Sequence, residues 1–174
     1  MKESIHSVWR PPDGEYTVTI ERPCFDAMQR LAREHYPREV GTSLVGGYSD
    51  DGYRAWVTGL APLTPDSRGT RNTFYRGALG LREFFRGLFT SSRGRTHYVG
   101  DWHSHPDGPA LPSPTDDHNA LSIARDSKAQ CPECLLVILG GNSTAPDLGV
   151  FVYSRKRGRI VLSAEPESVR DTSR

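Results

Sequence analysis

The sequence predicts a single α/β domain over residues 15–162, a mixed β-sheet flanked by helices. Three observations predict it. Alternating β-branched and aromatic segments are interspersed with amphipathic segments of helical period along the 174 residues. The apolar run Leu135–Leu139, closed by Gly140-Gly141, suits a central strand buried on both faces. No repeat or linker divides the chain, and its length suits one core.

Residues 1–14, with Pro11, Pro12 and Gly14, are expected to form a flexible leader. Tyr16–Ile20 alternates β-branched and aromatic residues and is read as a strand. Pro23 suits a first helical turn, Phe25, Met28, Leu31 and Ala32 share one face, and Pro37 ends the helix. From Glu39 the period changes to that of a strand through Val45, with a hairpin turn at Asp50-Asp51-Gly52 and a return strand Tyr53–Leu60. Pro62–Gly69 is a loop, followed by a short strand near Asn72–Tyr75. Leu81, Phe84, Phe85, Leu88 and Phe89 recur at i, i+3, i+4, i+7 and i+8, an amphipathic helix. His97–Trp102 is a strand, and a third helix begins at Ser113 with Ala120, Leu121 and Ala124 facing inward. Val150–Tyr153 and Ile160–Leu162 form a closing hairpin around Gly158, and residues 163–174 are expected to be a disordered tail.

Hydrophobic residues make up 36% of the chain and the mean hydropathy is −0.56. No apolar run is long enough to span a bilayer, which argues against a membrane protein. Nothing near Met1 resembles a secretory signal, and the three cysteines cannot all pair, so a cytoplasmic protein is expected. The net charge of +1 decides nothing about nucleic acid, and the basic run Arg155–Arg159 is explained by a solvated hairpin turn, so no nucleic-acid partner is expected.

The chemistry concentrates at His103-Ser104-His105-Pro106 and, seven residues after His105, at Ser113-Pro114-Thr115-Asp116. Alternation along an extended chain sends His103 and His105 to the same side. Ser-Pro-x-Asp is also an ordinary helix start, with Ser113 as N-cap and Asp116 in the first turn. A helix start holds a carboxylate rigidly, which a metal ligand needs. Two imidazoles and one carboxylate with a vacant position suit a hydrolytic Zn²⁺ site, although the donor types also suit iron or manganese. Cys131-Pro132-Glu133-Cys134 has zinc-like spacing, but Cys24 is the only other cysteine, so these are read as structural thiols. A zinc deaminase would need His-x-Glu and Pro-Cys-x-x-Cys, whereas here His103 precedes Ser104-His105 and Gln130 precedes Cys131. His118 lies round the helix from Asp116 and is expected at the surface or behind the ligands as a supporting group, whereas Trp102 should point away from His103 into the core.

These residues resemble the JAMM (JAB, MPN) metalloprotease family. Its pattern is an upstream Glu, then His-Ser/Thr-His-Pro, seven residues, Ser, two residues and Asp, and Glu39, His103, His105, Ser113 and Asp116 fill it over a similarity spanning residues 16–155. The resemblance implies a cytidine-deaminase-like JAMM/MPN domain. It implies that His103, His105 and Asp116 bind Zn²⁺, that Glu39 is the general acid/base, and that the Ser113 hydroxyl supports the oxyanion. It also implies cleavage of isopeptide or peptide bonds after the C-terminus of a ubiquitin-like protein. Within the family the chain looks most like small bacterial JAB proteins encoded with E1/E2-like conjugation enzymes, one group of which serves anti-phage CBASS by releasing a CD-NTase (cGAS-like enzyme) from conjugated targets. An extended substrate tail along a sheet edge is expected, with loops 62–73 and 106–112 supplying contacts. The rival readings are a JAB hydrolase processing a small sulfur-carrier protein and a non-cleaving adaptor for ubiquitin-like tails.

Overall fold

The structure, a computed structural model, describes residues 5–165. Its strands are β1 (Ile5–Arg10), β2 (Thr17–Glu21), β3 (Gly41–Tyr48), β4 (Arg54–Leu60), β5 (Arg68–Gly69), β6 (Phe74–Tyr75), β7 (His97–Ser104), β8 (Glu133–Gly141), β9 (Pro146–Ser154) and β10 (Gly158–Ala164). The helices are α1 (Arg22–His35), α2 (Leu81–Ser91) and α3 (Pro114–Arg125). Eight strands form one closed mixed sheet in the order β1-β10-β9-β8-β7-β3-β4-β2, and β5-β6 is a separate two-stranded sheet. The β2–β4 and β7–β8 pairs are parallel and the others antiparallel.

The expected α/β character and mixed sheet are present, but the sheet closes on itself. Closure depends on β1, which pairs with both β10 and β2. Residues 5–10 are therefore a strand and not part of a flexible leader; Trp9 is buried in the core, and burying that large side chain favours the ordered strand. Ser163 and Ala164, expected in a disordered tail, extend β10, with Ala164 opposite Trp9; the rest of that tail, 166–174, lies outside the described residues.

One apolar cluster takes residues from all eight strands of the closed sheet, among them Trp9, Ile20, Leu44, Val57, Trp102 and Val152, and α1 adds Cys24 and Met28. On the opposite face α3 packs Ala120 and Ala124 against Leu136, Ile138 and Phe151. The α2 helix covers Val45 and Ala61 through Leu81, Phe84, Phe85 and Leu88. Phe89, expected on the same face, is exposed. Leu135, Val137 and Leu139 face one cluster while Leu136 and Ile138 face the other, which explains a continuous apolar run in place of alternation. Among the described residues no helix is long and apolar enough to cross a membrane.

The strand that carries the histidines changes phase before it reaches them. Val99 and Trp102 both face the interior, although strict alternation would put them on opposite faces. The register with β3 shifts between the Leu44–Gly100 and Val45–Tyr98 pairs, leaving Val99 extra. Gly100 lies at φ 147, and a Cβ there would collide with the Leu135 carbonyl. This bulge turns Trp102 inward and sends His103 to the face that carries α3.

Candidate metal centre

His103 is on β7, one residue before its end, and His105 follows the strand, its N–H donating to the Leu139 carbonyl at 2.8 Å. Their Nε2 atoms lie 3.0 Å apart. His105 Nδ1 is 3.1 Å from the Pro109 carbonyl. With Nδ1 carrying the proton, Nε2 is left with its lone pair directed at the site.

Asp116 completes the cluster from the first turn of α3. Ser113 caps that helix: its Oγ accepts from the Asp116 N–H at 3.2 Å and donates to Asp116 Oδ2 at 2.6 Å, and the Ser113 N–H donates to the same oxygen at 2.8 Å. This capping box occupies Oδ2 and leaves Oδ1 3.4 Å from His103 Nε2. Farther along the helix, Asp117 pairs with Arg159 at 2.8 Å and Arg155 Nε donates to the Ala124 carbonyl at 3.0 Å. Two members of the basic run thus tie α3 to the β9–β10 hairpin. Arg157 pairs with Asp13 at 2.8 Å and also with Glu15.

Glu39 approaches from the segment leading into β3 and is buried. Its Oε1 lies 4.0 Å from His105 Nε2. Three hydrogen bonds, two of them between backbone groups, fix this segment. The Glu39 N–H donates to the Thr70 carbonyl at 2.7 Å, the Ser104 N–H donates to the Val40 carbonyl at 2.8 Å, and the Val40 N–H donates to Ser104 Oγ at 3.1 Å. Gly41 permits the close approach, since a Cβ there would collide with the Trp102 carbonyl.

The charges follow from this packing. Burial pushes the Glu39 carboxyl up to about 7; His103 opposes the rise and Asp116 adds to it. Burial, and then the charge of His103, push the His105 imidazole below its ordinary value, which keeps it neutral and able to ligate. Burial also acts to raise the Asp116 carboxyl, but the bonds and charge of His103, with the Ser113 bonds, outweigh it and hold the group well below the usual carboxylate range. The centre thus combines two imidazole nitrogens, a carboxylate that stays ionised and a second carboxyl poised near neutrality.

The donor set can be tested against a metal by distance. Ligands at about 2.0–2.1 Å around a tetrahedral zinc stand about 3.3 Å from one another. The 3.0 Å and 3.4 Å separations around His103 Nε2 bracket that value, and one ligand atom from each of His103, His105 and Asp116 lies within 4.8 Å of the others. The residues fit a divalent ion with a fourth position left for solvent or substrate.

Among the described residues no other such cluster occurs. Cys24, Cys131 and Cys134 are buried free thiols, as expected of structural cysteines. His118 is exposed and Trp102 is buried, both as expected. The sequence reading missed three neighbours. Phe74 of β6 stacks on the His103 ring at 6.4 Å between centroids, and Arg76 pairs with Asp101 at 3.1 Å in the same cavity. Asp101 could have been found by its alternation with His103; Phe74 and Arg76 carry no local signal.

Residues 21–153 match the family described as prokaryotic homologs of the JAB domain. The chain is 35% identical over 140 residues to a protein named CD-NTase/cGAS isopeptidase from Enterobacter hormaechei subsp. hoffmannii, covering 80% of this chain and 76% of that one. It is 29% identical over 126 residues to the probable metalloprotease y4qB of Sinorhizobium fredii, covering 71% and 76%. The fold is similar to the solution structure of protein DSY2949 from Desulfitobacterium hafniense, with a TM-score of 0.56 and 21% identity over 85% of this chain and 89% of that one. Taken with a His-His-Asp cluster that a carboxyl faces from the segment before β3, these matches establish that the chain belongs to the prokaryotic JAB family of JAMM-type domains.

Proposed function

We propose that this protein is a zinc-dependent isopeptidase that releases a CD-NTase-like or ubiquitin-like protein from targets joined to its C-terminus, in bacterial anti-phage CBASS. The observation that carries this reading is the meeting of Glu39 with His103, His105 and Asp116: a carboxyl poised near pH 7 stands 4.0 Å from a neutral imidazole beside an ionised aspartate. The name of the Enterobacter relative supports the substrate class, and that of the Sinorhizobium relative supports the metal.

His103, His105 and Asp116 would hold the ion, which when bound supplies Lewis acidity toward the scissile carbonyl and acidifies water. Glu39 takes a proton from the attacking water as its oxygen bonds to the carbonyl carbon. The tetrahedral oxygen then accepts a hydrogen bond from Ser113. Here the Ser113 proton is directed at Asp116 Oδ2, so this role requires the hydroxyl to rotate. Glu39 passes its proton to the departing amine as the C–N bond breaks, leaving a carboxylate on the released tail. Burial raises the proton affinity of Glu39 and a bound cation would lower it, opposing influences that suit one group to accept a proton and then hand it on.

Zinc-loaded protein is expected to cleave a CD-NTase–target conjugate in a gel assay, and Glu39→Ala is expected to bind zinc equally and cleave none. Equal cleavage by the two, or no cleavage by zinc-loaded wild type, refutes the reading.

A further inference from the structure

The cavity that contains His103 and Asp116, about 370 Å³, extends between β6 and α3 and ends on an ion pair that the hydrolytic step does not use. Asp101 and Arg76 form its floor, both half-buried. Asp101 is fully engaged: its Oδ1 accepts from Ser43 Oγ at 2.9 Å and lies 3.1 Å from Arg76 Nε, and its Oδ2 accepts from the Tyr98 hydroxyl at 2.8 Å. Arg76 Nη1 donates to Ser43 Oγ at 3.1 Å. Among the described residues Arg76 Nη2 has no partner, so the guanidinium is held at Nε and Nη1 and keeps the Nη2 N–H donors unfilled.

The β6 segment runs in step with β7. Phe74 stacks on His103, and two residues on Arg76 pairs with Asp101, two residues back from His103. Two residues of extended chain span about 7 Å, so Asp101, the partner of Arg76, lies about that far from His103 along β7. Of the two sides of a conjugate, only a flexible C-terminal tail can enter a groove between a helix and a hairpin; a folded target cannot.

We infer that Arg76 is the specificity-determining residue of this groove, selecting tails with an acidic or carbonyl-bearing side chain two positions before the residue that carries the scissile carbonyl and rejecting lysine or arginine there. The inference rests on the isopeptidase reading for the identity of the ligand. A substrate carboxylate at that position meets unfilled guanidinium donors, a charge-assisted pair. A substrate cation meets the same donors, and the Asp101 carboxylate beside them already has both oxygens occupied.

Fluorescein-labelled tail peptides ending in a Gly-Gly amide, with Glu, Gln or Arg at that position, test this by anisotropy in chelator, where no cleavage competes. The full-length wild type is expected to bind the Glu peptide about tenfold more tightly than the Arg peptide, with Gln between. Arg76→Gln should bring the three within about twofold, and Arg76→Lys should keep the order. Equal affinities in the wild type, or the same ratio in a folded Arg76→Gln, overturns the assignment. Should Arg76→Gln fail to fold by thermal melt, the wild-type comparison alone decides. The same tails joined to a lysine ε-amine, offered to the zinc-loaded protein, separate the two claims. Cleavage should follow the binding order through KM with kcat little changed. Charge-selective binding without cleavage refutes the hydrolytic reading and leaves Arg76 as the determinant of which tail is held.

Discussion

Burying the Glu39 carboxyl beside Asp116 has a cost that the metal-free protein must carry, and removing the charge should reveal it. The group titrates near 7 in the fold against 4.5 for an unperturbed glutamate. A raised carboxyl pKa means that the folded state keeps the proton longer than the unfolded chain does. Its penalty is absent below about pH 4.5, grows through the interval up to 7, and is complete above it. At about 1.4 kcal/mol per pKa unit the full penalty is about 3 kcal/mol, reached by pH 8, and it is about 1 kcal/mol at pH 5. Glu39→Gln keeps the shape and removes the charge, so in chelator it should melt above wild type at pH 8 by about 6–12 °C and by much less at pH 5. Adding zinc at pH 8 should shrink the offset, because a cation beside the carboxyl favours its ionised form. Paired thermal melts at the two pH values make the measurement. An offset that is the same at both pH values, or a Glu39→Gln protein less stable than wild type at pH 8, refutes the argument.

Wild-type protein should gain about 2.7 kcal/mol of stability at zinc one hundredfold above its Kd, a gain that His105→Ala should lose, read as melting shifts with and without the metal. Ser113→Ala removes a helix cap and should cost about 1 kcal/mol in denaturant unfolding, together with a fall in kcat from the lost oxyanion donor. Ser104→Ala strands the buried Val40 N–H and should cost about 1–3 kcal/mol, while Ser104→Thr, which keeps the acceptor, should retain most of the stability and zinc binding. Gly100→Ala forces a Cβ into the Leu135 carbonyl at a backbone angle only glycine tolerates; it should destabilise by about 1–3 kcal/mol or more and lower zinc affinity, measured by calorimetry.

Features encoded within a few residues were legible before the fold was seen. The Ser113 cap with its first-turn Asp116, the shared side of His103 and His105, the α1 and α2 stripes and the doubly buried β8 all follow from local geometry. Glu39 was legible only through the family pattern, because nothing in Arg38-Glu39-Val40 marks a buried carboxyl. Closure of the sheet was not legible: β1 pairs with β10 across most of the chain length, and register at that separation is set by packing rather than by any nearby residue. The Arg76–Asp101 floor was hidden for the same reason, since its partners lie 25 positions apart on elements brought together only by the complete fold.

Closing the eight-stranded sheet has a consequence for how the enzyme could acquire new targets. Every strand of the large sheet already has a neighbour on both sides, and β7, which carries His103, is paired along its length with β3 and β8, so a visiting peptide finds no vacant ladder beside the histidines. Next to the histidines, the two-stranded β5–β6 unit offers open strand edges, and it also stacks on His103 and anchors the Glu39 backbone. Recognition can therefore evolve by exchanging that short hairpin while the rest of the domain stays constant, provided the replacement keeps a carbonyl where Thr70 holds Glu39.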